Sequence, residues 1–189
     1  MGYNPDVFIL QFHLVKFFVY HLTYYRQIRN LYDGISFKSE FWKHTSDAHL
    51  LQAAIYWCMV FGADGNSTHW KNLPCTDYKQ AWRNFREGLI KETSLGNKTQ
   101  WKCYWDKMVY FRNKYAAHRD NYKGPIPDFN IALEAAFVYD RWVRKIISPD
   151  TFAEPPLNKT VSSLERKIYP LLQRLLQDTQ EYNQDTYPL

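Results

Sequence analysis

Two side chains near the middle of the chain have the chemistry for handling a phosphate ester: Arg112 and His118, in the run Arg112-Asn113-Lys114-Tyr115-Ala116-Ala117-His118. A guanidinium offers a planar fork of donors to phosphate oxygens, and an imidazole gives or takes a proton near neutral pH. Binding a scissile phosphate and moving a proton beside it are the two operations that RNA cleavage requires. At helical spacing, Tyr104, Met108, Phe111, Tyr115 and His118 fall at i, i+4, i+7, i+11 and i+14, so His118 continues an inward stripe. On an ideal helix Arg112 and His118 lie roughly 120° and about 9 Å apart, flanking Tyr115 on a broad face without touching. A two-fold axis near Tyr115 would gather two arginines and two histidines around one cleft, which predicts a homodimer. The residues alone leave a plainer reading open. His118 then satisfies a neighbouring tyrosine in the core, and Arg112 pairs with Asp106 or with an acid on another helix.

The element carrying the pair is expected to be a helix capped by Thr99 and running through Lys123, with Gly124-Pro125-Ile126-Pro127 breaking the chain after it. Four helices frame it. Asn4-Pro5 supplies a cap and first position for a long first helix through Val7, Leu10, Leu14, Phe17, Phe18 and Tyr25, ended by Asp33-Gly34. Ser46 or Asp47 is expected to cap a second, whose Leu50, Leu51, Ala54, Ile55, Cys58 and Phe61 form a wide apolar stripe ending at Gly62 and place it centrally in the core. A third starts at Thr76, with Trp82, Phe85 and Leu89 inward and Lys79, Arg83 and Arg86 outward. Asp128 caps a fifth through about Ile147, with Ile131, Ala135, Val138 and Trp142 on one face. Ser162-x-x-Glu165 matches a capping box that opens a last helix, which Pro170 should kink. No run reads as a strand. The fold class is therefore all-α, a bundle of five to six helices over residues 1–150, with a linker and helix over 151–189 packing on it or extending from it.

The chain has 189 residues, enough for one domain with a sizeable core. Aromatic residues make up 18% of it, more amphipathic surface than a monomer ordinarily needs, so partner interfaces are expected. The net charge is +5, and residues 101–123 hold six basic residues, Lys102, Lys107, Arg112, Lys114, Arg119 and Lys123, against the acids Asp106 and Asp120. That concentration suits a phosphate-bearing partner, and equally a solvated helix face. Cys58, Cys75 and Cys103 are odd in number and lack C-x-x-C spacing, which points to a reducing, cytoplasmic compartment. Three Asn-x-Thr/Ser matches, at Asn66, Asn97 and Asn158, would need a secretory route that the N-terminal run, broken by Gln11, His13 and Lys16, does not suggest. Residues 7–20 are read as a buried helix rather than a membrane segment.

Other constellations are weaker. Residues 62–75 make a long connection rich in turn formers, and its His69-Trp70-Lys71 could stack on and grip a nucleotide, or Trp70 could plug the end of the bundle. Cys58, His69, Cys75 and Cys103 form a zinc set only through assumed tertiary contacts, and isolated cysteines are the simpler reading, so no metal or other cofactor is expected. His49 follows Asp47 near the expected start of the second helix, where it could contribute a polar group to the active site, with a solvent-facing cap position the simpler reading. No Gly-rich phosphate loop, nucleophile elbow or paired-carboxylate spacing is present.

An arginine followed by a polar residue, then a histidine within four to six positions, on an amphipathic helix just before a breaker, resembles the hallmark of the HEPN superfamily. The chain is most similar there to abortive-infection proteins of the AbiU type. The pieces that carry the resemblance are Ala53-Ala54-Ile55-Tyr56-Trp57, Val60-Phe61-Gly62, His69-Trp70-Lys71 and Arg112 through Asp120. They cover most of residues 1–148 and leave 150–189 unaccounted for. The resemblance implies a helical bundle that dimerises through the motif helices and, in many members, a metal-independent endoribonuclease of a bacterial defence or toxin–antitoxin setting. It implies His118 as general acid or base, Arg112 as phosphate holder and Asn113 as the residue orienting one of them or binding a phosphate oxygen. The product would carry a 2′,3′-cyclic phosphate. Arg119, one heptad beyond Arg112, together with Lys114, Lys123, Trp70 and Lys71, would extend the RNA contact. The implied partners are RNA, a second copy, and an antitoxin or nucleotidyltransferase. One departure concerns the last of these. Members controlled by tyrosine modification carry Tyr two residues after the histidine, where this chain has Asp120, and Tyr122 stands four residues on. The rival expectation is a non-catalytic helical module that binds a protein partner.

Overall fold

A computed structural model of the chain describes residues 2–34, 39–117, 122–150 and 153–186, with side chains described up to residue 179. Those residues form six α-helices: α1 (Pro5–Tyr32), α2 (Glu40–Phe61), α3 (Tyr78–Glu92), α4 (Lys98–Phe111), α5 (Phe129–Ile147) and α6 (Leu157–Thr186). A 3₁₀ turn, Trp70–Asn72, lies before α3, and a π-helical segment, Arg112–Ala117, follows α4. The architecture is the all-α bundle that the sequence pattern implies, with no strand longer than an isolated bridge between Tyr3 and Pro74 among the described residues.

α2 is the central element. Trp57, Cys58, Ala53, Ala54 and Val60 of its second half are fully enclosed, where the wide apolar stripe faces the core. α1 lies along it and buries Phe12, Val15, Phe18, Val19 and Leu22. Its start follows from Asn4, whose side chain accepts from the N–H groups of Asp6 and Val7 while Pro5 occupies the first turn. α1 is also long and apolar enough to cross a membrane by length and composition, and 39% of its most apolar window is buried in the bundle. Ile9, Leu10 and Phe17 on the same helix face outward. α5 closes the other side, with Asp128 accepting from the Asn130 N–H at 2.8 Å as its cap. α3 packs on α5 through Phe85 and Leu89.

Four helix starts differ from the sequence expectation, that of α3 by two residues, at Tyr78 after Asp77 rather than at Thr76. α2 begins at Glu40 rather than after Ser46, which is buried one and a half turns inside with no partner for its hydroxyl. α4 is capped by Asn97, which accepts from the Gln100 N–H at 2.9 Å, rather than by Thr99. α6 begins at Leu157, so Ser162 is interior and donates to the Asn158 carbonyl four residues back at 3.2 Å instead of capping. The C-terminal part packs on the bundle, where Leu172 and Leu176 of α6 close a small apolar cluster with Ile28, Tyr32 and Trp42. Its entry is tied by Asp140 of α5, which accepts from the Leu157 N–H at 3.0 Å and from Arg144 Nε at 3.0 Å.

Candidate functional site

The motif segment leaves α-helical geometry at Arg112. The Arg112 N–H is shared between the Met108 and Val109 carbonyls, and residues 112–117 continue as a π-helix. An i→i+5 ladder winds more widely than an α-helix, so the angle and separation expected for a straight helix do not apply past Arg112. The expected run of one helix to Lys123 is corrected accordingly: α4 ends at Phe111, and Lys123 is exposed on the irregular segment that follows.

Arg112 is half-buried, packed with the π segment against α2. Its Nε is enclosed and has no hydrogen-bond partner among the described residues. The neighbour on α2 is the Cys58 thiol, which lies 3.8 Å from the Met108 carbonyl. Burial pushes that thiol up to about 12, against the pull of the Arg112 guanidinium, so Cys58 stays protonated. Asp106, the acid offered in the plainer reading of Arg112, is taken instead by Lys102. Asn113 is half-buried and Lys114 exposed. Tyr115 stacks on Phe111 at 5.4 Å and on Tyr122 at 5.8 Å, while the Tyr122 hydroxyl donates to the Pro125 carbonyl at 2.7 Å. This aromatic knot folds the chain back under the π segment. His118, Arg119 and Asp120 lie outside the described residues.

The loop residues Trp70 and Lys71 are at a different place. Trp70 is 6% exposed, with its ring 4.5 Å from Phe85 and 6.1 Å from Trp142, so the expectation that it stacks on a base is corrected: its ring is used in the core. Lys71 pairs with Asp64. His69, 2% exposed, caps the 3₁₀ turn through Nδ1, and its Nε2 is 3.4 Å from Asp64. Burial drives His69 down to about 4, partly opposed by Asp64, so it is neutral at pH 7. The loop is held as a rigid cap, with Asn66 and Thr68 both bonded to the Met59 carbonyl at the end of α2.

The sequence reading passed over two features. His21 of α1 and His49 of α2 face each other with Nδ1 atoms 2.8 Å apart, one donating and the other accepting. His49 is thus half-buried and paired rather than a solvent-facing cap, and burial lowers both imidazoles. A cavity of about 300 Å³ also opens between α3, α4 and the loop after α2. Its α4 wall is Lys98, Trp101, Lys102 and Trp105, an i, i+3, i+4, i+7 set that the sequence displays but that the inward stripe through Tyr104 drew attention from. Of the cysteines, Cys58 is buried while Cys75 and Cys103 are exposed, and no cluster of three metal-ligating side chains occurs among the described residues. Compared with family models, curated proteins and solved structures, the chain matches none of them.

Proposed function

We propose that the chain is a metal-independent endoribonuclease of the HEPN type, acting as a homodimer on single-stranded RNA. The observation that carries the reading is Arg112. It sits at the junction of α4 with a π-helical turn, a geometry frequent at functional sites, and its Nε–H has no acceptor among the described residues. In the proposed reaction the ribose 2′-oxygen attacks phosphorus, the bond from phosphorus to the 5′-oxygen breaks, and a 2′,3′-cyclic phosphate results. His118 takes the 2′-hydroxyl proton, and the same residue of a second copy delivers a proton to the leaving 5′-oxygen. Arg112 holds the phosphate and stabilises the charge that develops on it. Asn113 orients that contact, and Lys114, Arg119 and Lys123 follow the RNA backbone. Lys71 lines a separate cavity, paired with Asp64, and is not assigned to this cleft. A defence or toxin–antitoxin role, with an antitoxin or nucleotidyltransferase partner, is part of the same proposal and comes from the same resemblance.

The test incubates the protein and its His118→Ala variant with end-labelled single-stranded RNA in chelator and maps the fragment ends. Cleavage by the unaltered chain alone, leaving cyclic phosphate, is expected. Equal behaviour of the two proteins would sink the assignment. A second reading, a non-catalytic module for a protein partner, is favoured by the exposed apolar side chains Phe41, Leu171 and Leu175 around a groove between α1, α2 and α6.

A further inference from the structure

The cavity between α3, α4 and the α2–α3 loop combines four cations with half-exposed indoles. Lys71, Arg86, Lys98 and Lys102 line it with one carboxylate, Asp64. Asp64 is already taken by Lys71 and faces His69, and Lys102 is paired with Asp106. Neither Arg86 nor Lys98 forms an ion pair among the described residues; Arg86 lies 5.8 Å over the Trp70 ring and within electrostatic reach of Asp64, and its guanidinium fork and the Lys98 ammonium can take an anion. Lys98 is the first residue of α4, so the positive end of the helix adds to them. On the same wall stand Trp101 and Trp105. The Trp105 indole is fixed by donation to the Phe61 carbonyl at 2.7 Å and carries the Lys102 ammonium 4.6 Å from its ring. Lys98 and Lys102 interleave with Trp101 and Trp105 on the α4 wall while Arg86 comes from α3, and cations and flat rings lining one cavity fit a ligand with a phosphate at one end and an aromatic ring at the other. A volume of about 300 Å³ lies at the small end of ligand sites and admits one such unit.

We propose that this cavity binds a nucleoside monophosphate, its phosphate held by Arg86 and Lys98 and its base laid against Trp101 or Trp105. Arg112 does not line the cavity, so the site stands apart from the proposed ribonuclease cleft and rests on no part of that reading. A free mononucleotide and the phosphorylated end of an RNA strand share this chemistry.

Titration calorimetry of the full chain with AMP, adenosine and inorganic phosphate tests the proposal, and a short 5′-phosphorylated oligoribonucleotide, titrated into the His118→Ala chain to prevent cleavage, separates the two sources. One AMP per chain is expected, with adenosine and phosphate each at least about tenfold weaker, because each offers half of the contact. Arg86→Gln and Lys98→Gln should each weaken AMP about tenfold. Both side chains are exposed, so unchanged melting curves are expected of these variants. Lys145→Gln, on α5 and outside the cavity, should bind as the unaltered chain does. The proposal is overturned by absence of AMP binding, by phosphate or adenosine binding as tightly as AMP, by a double Arg86→Gln and Lys98→Gln variant that binds unchanged, or by equal weakening in Lys145→Gln.

Discussion

At the scale of single residues, Arg112 and Tyr139 show how a polar group inside an apolar bundle reveals its purpose. The Tyr139 hydroxyl donates to Gln11 Oε1 at 2.9 Å, and Gln11 Nε2 donates to the His69 carbonyl at 2.8 Å, so α5, α1 and the loop cap share a closed buried chain. Every group in it is satisfied, which marks it as structural. Tyr139→Phe leaves the Gln11 acceptor buried and unpaired, and urea unfolding should show a loss of about 1–3 kcal/mol. Arg112 is the opposite case. An enclosed Nε without an acceptor among the described residues is a standing cost, and removing such a donor relieves it. Arg112→Met should therefore melt no lower than the unaltered chain, while RNA cleavage falls by about a hundredfold or more through loss of the phosphate contact. A destabilisation above about 2 kcal/mol with cleavage intact would make Arg112 a structural residue.

At the scale of elements, local signals located most helices and misplaced several of their ends. Asn4-Pro5 and Asp128 cap as their sequences suggest, because nothing competes for the neighbouring N–H groups. Ser46 and Ser162 carry the same chemical signal, yet both lie inside helices, since the apolar cluster of Trp42 with Ile28 and Leu176 draws α2 backward and burial of Leu157 does the same for α6. A cap motif states where a helix can begin, and tertiary packing decides whether it does. The π turn was illegible for a similar reason: the ring contacts of Tyr115 with Phe111 and Tyr122 form only once the chain has folded back at Pro125. The join of α5 to α6 is likewise tertiary. Asp140 is 4% exposed and serves both Arg144 and the first N–H of α6. Arg144 in turn donates to the Glu154 and Pro155 carbonyls at 2.9 and 3.0 Å. Asp140→Ala removes the carboxylate from Arg144 and leaves the buried Leu157 N–H without its acceptor, which should cost about 1–3 kcal/mol. Limited proteolysis should then cut first within 148–157, releasing α6 ahead of global unfolding, and a cut elsewhere would refute the idea that Asp140 clamps this join.

At the scale of the whole molecule, the candidate chemistry was legible as residue types, Arg112 with His118 and the basic run around them, whereas the pairing of separate helices was not. His21 with His49, and Arg86 with Lys98, are each brought together from two elements, and no spacing in the chain announces such pairs. The histidines among them, with His69, give the bundle a common response to acid. His69 is down at about 4 in the folded chain through burial, faces Asp64, Lys71 and Arg86, and has an ordinary value near 6.5 when unfolded. Between those values the unfolded chain binds a proton that the folded chain refuses, so stability falls as pH falls, by up to about 1.4 kcal/mol per pH unit for this one group. His21 and His49, lowered by burial, act with the same sign. Asp64 acts elsewhere: Lys71 holds its carboxyl below the ordinary carboxylate value, so its contribution is present above that value and is lost only at lower pH than the histidine window. The urea midpoint should therefore drop between pH 7 and pH 5, with no matching change attributable to carboxylates. His69→Gln keeps a polar cap for the 3₁₀ turn but cannot titrate, so it should lower stability at pH 7 and flatten the drop toward pH 5. A drop of unchanged size in that variant would move the acid response off His69 and onto the His21–His49 pair, where His49→Gln would have to abolish it.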